Sequence, residues 1–196
     1  MVETIAPVVH GDSRTKYRMT LLLHALGAVL AAALVGTLAG TIGMVLGAPW
    51  GTWSFVAVGS VAVVYAAREI TGLKIPIPDR HRQVPLWWRS FYSAPVAGFL
   101  YGLGIGVGYL TYLSFGTYVA VTAAAVAWGS PPLGAALTAP FGLGRALSVA
   151  LANRRAGEDR PSGIDRIDDL AGTRWPRVVN GTALIVTAAI AVLMSL

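Results

Sequence analysis

Residues 94–128 read APVAGFLYGLGIGVGYLTYLSFGTYVAVTAAAVAW, thirty-five positions without one charged side chain. A straight α-helix of that length would measure ~52 Å, against a bilayer hydrocarbon core of ~30 Å. The stretch is too long for one ordinary span. Gly98, Gly102, Gly104, Gly106, Gly108 and Gly116 weaken helix and let other backbones come close. Tyr101, Tyr109, Thr111, Tyr112, Ser114, Thr117 and Tyr118 place polar groups where lipid favours leucine. We expect a broken or re-entrant helix at the centre of a helical membrane bundle, with the bend in residues 104–116.

Working outward, composition agrees with a membrane protein. The 196-residue chain is 55% hydrophobic and 12% charged, with a mean hydropathy of +0.64, whereas a soluble domain carries about 25% charged residues. The charged stretches are each shorter than about 30 residues and too short to bury a core of their own. The fold class expected is therefore all-α and polytopic, a single transmembrane domain. Cysteine is absent, which excludes disulfides, thiolate metal sites, iron–sulfur clusters and cysteine redox relays within this chain.

The net charge of +6 is a topology signal. Fourteen of the fifteen Lys and Arg lie in three polar segments, 14–18, 68–89 and 154–177, and the short turns between them have none. This is the positive-inside pattern, and it speaks against nucleic acid as a partner. Residues 1–18 read as a cytoplasmic tail, followed by spans at about 19–46, 53–67, 94–128 (broken), 132–153 and 178–196. The run after residue 18 is too long for a signal-peptide core, so the first span is expected to be retained. The segment from Arg68 to Tyr92 holds Pro76, Pro78 and Pro85 with Trp87, Trp88, Phe91 and Tyr92 around Arg89. It should lie on the membrane surface, its aromatics in the headgroup layer. If 68–92 and 154–177 are both cytoplasmic, 94–128 crosses once. The expectation is five spans in the cell membrane, amino terminus inside and carboxyl terminus outside.

Few residues carry chemistry. Arg145 is the one basic residue inside an apolar run, and intramembrane arginine marks function by default. With Tyr109, Thr111, Tyr112 and Ser114 it makes the candidate cavity lining. His24 lies about a turn inside the first span, alone, so it reads as a hydrogen-bonded structural residue before a ligand. His10 and His81 fall in polar segments, so paired intramembrane histidines for haem are missing. No carboxylate pair, metal cluster or nucleophile elbow is visible, and neither catalysis, a cofactor nor a metal is expected. Gly36-x-x-x-Gly40 and the run Gly102, Gly104, Gly106, Gly108 are helix-packing and hinge positions, the latter lacking the strand and spacing of a dinucleotide fingerprint. Pro140, with Gly142 and Gly144, predicts a kink in the fourth span.

The order LLLHALGAVLAAALVGTLAGTIGMVLG, a short second span, a polar loop, GFLYGLGIGVGYLTYLSFG, a Pro-rich turn and an interrupted span with Pro140-Phe141 resembles the transmembrane region of the CcdA/DsbD family. The resemblance covers roughly residues 17–196 and implies a shortened member without the family's first span and without its redox cysteines, Val107 and Gly108 standing where its second-half proline and cysteine would be. It implies a transport or assembly component around a central cavity, linked to cytochrome c biogenesis. The alternative is a structural subunit of a larger membrane complex, a redox enzyme or its maturation machinery. Expected partners are the lipid bilayer and membrane or periplasmic-side proteins.

Overall fold

Helix α1, Arg14–Val45, divides into two faces that settle how everything else packs. Its buried positions are Thr20, His24, Gly27, Ala28, Ala31, Ala32, Gly36, Ala39, Gly40 and Gly43. They recur at helical spacing and all but two are Gly or Ala, so one stripe of the helix is almost bare backbone. Leu22, Leu26, Leu30, Leu34, Leu38 and Ile42 occupy every fourth place on the opposite side and are exposed. Small residues on one stripe and leucine on the other are what a helix needs to approach neighbours closely while presenting apolar surface to lipid. The structure, a computed structural model, describes residues 13–78, 80, 84, 85, 87–111, 113, 115–155 and 174–195.

Two helices use the bare stripe. Helix α4, Ala94–Gly106, follows the single turn α3, Trp88–Phe91, and lies parallel to the first half of α1. Gly98 meets Thr20, Gly102 meets the His24 carbonyl and Gly106 meets the Ala28 carbonyl, each contact four residues on from the last along both helices. Helix α6, Pro131–Arg155, runs the other way: Ser130 lies by Gly40, Gly134 by Gly36 and Gly142 by Ala28. A methyl group on either Gly36 or Gly134 would overlap the other's carbonyl. Thr138, fully buried, donates its hydroxyl to the Ala32 carbonyl at 2.7 Å. Ala28 is where α1, the end of α4 and α6 converge.

The second group is α2, Thr52–Thr71, and α7, Trp175–Ser195, which are antiparallel: Gly59 faces Ala191 and Gly181 faces Ile70. Ala62, Ala66, Leu184 and Ala188 pack there with Ala120 of α5, Thr117–Trp128. Helix α5 joins the groups. On one side Ser54 donates to the Ala127 carbonyl at 2.7 Å; on the other the Val126 carbonyl meets Gly43.

Among the described residues all regular structure is helical, six helices and the turn α3. Four of them, α1, α2, α6 and α7, are long and apolar enough to cross a membrane, which fits membrane association. The expected five is not reached by single helices. Residues 94–128 form two pieces of 13 and 12 residues, each ~20 Å or less and short of a ~30 Å core.

Other expectations are corrected in detail. Helix α2 does not stop at Ala67; it continues to Thr71 and is closed by Gly72 in the left-handed conformation, φ 75°, so Arg68 and Glu69 belong to its last turn. Helix α6 is unbroken with Pro140 inside it. The 68–92 segment is not simply laid on a surface: Val84 is buried with Tyr101 and Ile105, and Trp88 packs on Tyr101 at 5.7 Å between ring centroids. Gly104 leaves room for the Val84 side chain, which would crowd any larger residue.

Candidate functional site

The ten residues between α4 and α5 are where the two helix groups part. Helix α4 unwinds through tight turns: Gly108 N–H donates to the Ile105 carbonyl at 3.2 Å, Tyr109 N–H to Val107 at 2.8 Å and Thr111 N–H to Gly108 at 3.0 Å. Gly108 has φ 73°, and a Cβ there would lie 2.6 Å from the Tyr118 ring. Only glycine satisfies both conditions without strain. From outside the break, Arg80 N–H donates to the Tyr109 carbonyl at 3.2 Å.

Four side chains stack into a column behind this turn. Tyr109 lies 5.2 Å from Tyr118 between ring centroids, Tyr118 stacks on Phe141 at 3.8 Å, and the Arg145 guanidinium stands 5.4 Å over the Phe141 ring. Both ends are tied. The Tyr109 hydroxyl donates to Thr122 Oγ1 at 2.8 Å, and Arg145 Nη2 donates to Thr111 Oγ1 at 3.2 Å. A cation over an aromatic face in a desolvated place is favourable by about 2 kcal/mol, which helps hold Arg145 one way round. Tyr118, Phe141 and Arg145 of the column line a cavity of about 850 Å³ between α5, α6 and α7, whose wall is apolar apart from Thr117, Tyr118, Arg145, Ser148 and Asn180.

The carboxyl end of α2 fixes the start of α5. Glu69 is 4% exposed, and its Oε1 accepts from Arg68 Nη1 at 2.6 Å and from Gly116 N–H at 3.1 Å. The carboxylate thereby serves a free N–H at a helix amino terminus, where negative charge is favoured. Thr117 Oγ1 donates to Asn180 Oδ1 at 2.8 Å, bringing α7 to the same junction. Glu69 was missed in sequence. Its only signal there is an acid at the end of an apolar run, which says nothing of a partner 47 residues away.

Of the predicted lining, Arg145, Tyr109 and Thr111 come together; Tyr112 and Ser114 lie outside the described residues, as do residues 1–12, His81 and 156–173. His24 stands apart, buried between α1 and α4. Its Nδ1 is 3.1 Å from the Gly98 carbonyl, so Nδ1 carries the proton; Nε2 is buried with no hydrogen-bond partner among the described residues. Gly36, Gly40, Gly102 and Gly106 are all points of backbone contact, while Pro140 lines the cavity. No group of three or more His, Cys, Asp or Glu that could hold a metal ion occurs among the described residues. The site offers one fixed guanidinium, hydroxyls and an apolar wall: chemistry for holding a ligand.

Comparison with known proteins overturns the resemblance drawn above. The chain is similar to the methylamine utilization protein MauF of Methylorubrum extorquens, 39% identical over 144 residues, covering 71% of this chain and 49% of the relative. It is 42% identical over 135 residues to MauF of Paracoccus versutus, covering 67% and 49%, and 37% identical over 133 residues to MauF of Paracoccus denitrificans, covering 67% and 48%. The chain spans about half the length of the curated relatives it matches. No family model and no solved structure matches. The CcdA/DsbD assignment, its link to cytochrome c biogenesis and the transport or assembly role drawn from it fall with this finding, and the redox-complex subunit gains no support from it. The physical reason is plain: the matching positions were glycines and apolar residues, which any tightly packed membrane helix requires.

Proposed function

We propose that this chain is a membrane component of a methylamine-utilization system. The observation that carries this is the shared name of its relatives, methylamine utilization proteins at 31–42% identity over most of the chain. The test is growth. In a methylamine-using bacterium that carries the gene, deletion abolishes growth on methylamine as sole nitrogen source, leaves growth on ammonium unchanged, and is reversed by the gene in trans. Undiminished growth of the deletion strain on methylamine overturns the reading.

The working part is the cavity beside the broken helix, and the protein works there without catalysing a covalent step. Support comes from the described lining, which carries one guanidinium, hydroxyls and an amide, and no carboxylate, imidazole or thiol. Arg145→Ala then abolishes growth on methylamine while the protein still reaches the membrane in normal amount. Full growth of that variant removes the cavity from the function.

In the bilayer α4 and α5 together make the fifth crossing, with the amino terminus inside and the carboxyl terminus outside. Helix α4 lies along the first half of α1 and α5 reaches the level of Gly43 near its end, so the two short helices lie in series. Discontinuous helices of this kind place unwound backbone near the midplane, where membrane proteins build ligand sites.

A further inference from the structure

The cavity between α5, α6 and α7, about 850 Å³, differs from the helix contacts described above in what lines it. Those contacts are built on Gly and Ala: Gly36 on Gly134, Gly102 on the His24 carbonyl, Gly106 on Ala28, Gly59 on Ala191. The cavity wall is built on Ile105, Leu113, Phe115, Val121, Leu137 and Val149, bulky apolar side chains like those on the exposed stripe of α1. Small residues serve helix packing, whereas lipid tails are as apolar as leucine and lie well against it. The hydrogen-bonding groups of the wall are turned into the protein. Thr117 donates to Asn180, Asn180 to the Pro176 carbonyl, Ser148 to the Arg145 carbonyl and Tyr118 to the Val107 carbonyl. Arg145 is engaged by Thr111, the Phe141 ring and a further interaction. What is left to face the space is mostly hydrocarbon.

Length and placement narrow the occupant. From Leu137 to Val149 the α6 wall extends ~18 Å, close to one leaflet of a ~30 Å core and well short of a transmembrane helix. Beyond Leu137 the space closes, because a Cβ at Gly134 would lie 3.4 Å from Ala125 of α5. Sideways it continues into the exposed face of α6, where Leu143, Leu147 and Leu151 stand outward and Gly144 has no atom within 4 Å of an added Cβ. The other end is polar and basic. Thr117 begins α5 beside the carboxyl end of α2, and Asn180 lies in the second turn of α7. Three residues before Asn180, on an adjoining position of the same helix face, stands Arg177. Arg177 and Arg174 are exposed and make no ion pair among the described residues. The one acid among those residues, Glu69, is engaged by Arg68 and the Gly116 amide. Trp175, 72% exposed between the two arginines, has the placement of an anchor in the headgroup layer.

We infer that this cavity holds one acyl chain of an anionic phospholipid, the tail running toward Leu137 and Val121 and the headgroup meeting Arg177 and Arg174 at the start of α7. This names the occupant of the cavity taken above as the working part, and it rests on that cavity facing the bilayer.

The full chain, delipidated in a neutral maltoside detergent, is titrated with dioleoyl phosphatidylglycerol and dioleoyl phosphatidylcholine and read by native mass spectrometry. The anionic lipid is expected to bind about fivefold or more tightly, the size of one basic side chain near a lipid headgroup, and Arg174→Gln with Arg177→Gln should remove that preference. In phosphatidylcholine vesicles containing phosphatidylglycerol with a diazirine at the tip of one tail, photolysis should mark Val121 and Leu137 above the exposed Leu22, Leu30 and Leu34 of α1. Gly144→Leu, whose side chain enters open space, should melt like the delipidated wild type and lose this enrichment. Equal affinity for the two lipids, even labelling of α1 and the cavity, or unaltered enrichment in Gly144→Leu overturns the inference. So does a stoichiometric protein cross-linked from position 144 in native membranes, since a partner helix would then fill the space. Lipid binding is read on the purified chain, so normal growth of the deletion strain on methylamine ends the methylamine reading and leaves the lipid site standing.

Discussion

Gly36 and Gly144 would be interchangeable to any propensity scale, and their surroundings make them opposites. At Gly36 an added methyl runs into the Gly134 carbonyl and the Thr138 hydroxyl; at Gly144 it meets nothing. Gly36→Ala should therefore destabilise by about 1–3 kcal/mol through overpacking, while Gly144→Ala should gain about 0.5–1 kcal/mol from helix propensity. Thermal unfolding in detergent separates the two, and the same sign of shift in both would refute the packing described. Thr138→Val keeps shape and removes the hydroxyl bonded to the Ala32 carbonyl. A loss of about 0.6–1.7 kcal/mol is expected in the same assay. At this scale sequence reading singled out Gly36 and Gly102 as packing positions, because helical spacing is local information. For Glu69 it failed, because the partner amide belongs to another helix.

Among the elements, α5 is the one least able to stand alone. With 12 residues it is at or below the length at which isolated helices are marginal, and its amino terminus depends on the Glu69 carboxylate. Arg68 also donates from Nε to the Ile75 carbonyl at 2.9 Å, so one ion pair ties the α5 start to the strand of chain leaving α2. Glu69→Gln retains an acceptor for Gly116 but removes the charge. It should cost about 1–2 kcal/mol from the helix terminus and the partly exposed pair together, and should open residues 107–116 to protease before the rest of the protein melts. Melting and cleavage indistinguishable from the wild type would show that the pair contributes nothing. The break itself was legible, since thirty-five uncharged residues with six glycines cannot make one straight span. What fills the break was not: the column of Tyr109, Tyr118, Phe141 and Arg145 joins three elements.

For the whole molecule the natural absence of cysteine is an experimental advantage. Thr52 and Pro132 are exposed at one end of the helix assembly, Lys74 and Trp175 at the other. Single cysteines at these four positions should divide accordingly: a membrane-impermeant maleimide on intact cells should label positions 52 and 132 and spare 74 and 175. Labelling 52 and 132 from opposite sides would end the account of α4 and α5 as one crossing in series.

By itself the sequence determined the class of molecule, a cysteine-free helical bundle of membrane composition, because hydropathy and charge are sums over residues. It pointed to small-residue packing along α1 and to an interruption within residues 104–116, because both are periodic or compositional features of one stretch. It misdirected the family assignment, because glycine and alanine at helical spacing report close packing and nothing narrower. Only the tertiary structure decided that Glu69 meets Gly116, that Val84 enters the core and that Arg145 caps an aromatic column beside a cavity. Those contacts depend on which helix faces which, a matter of shape across the bundle that local sequence patterns leave open.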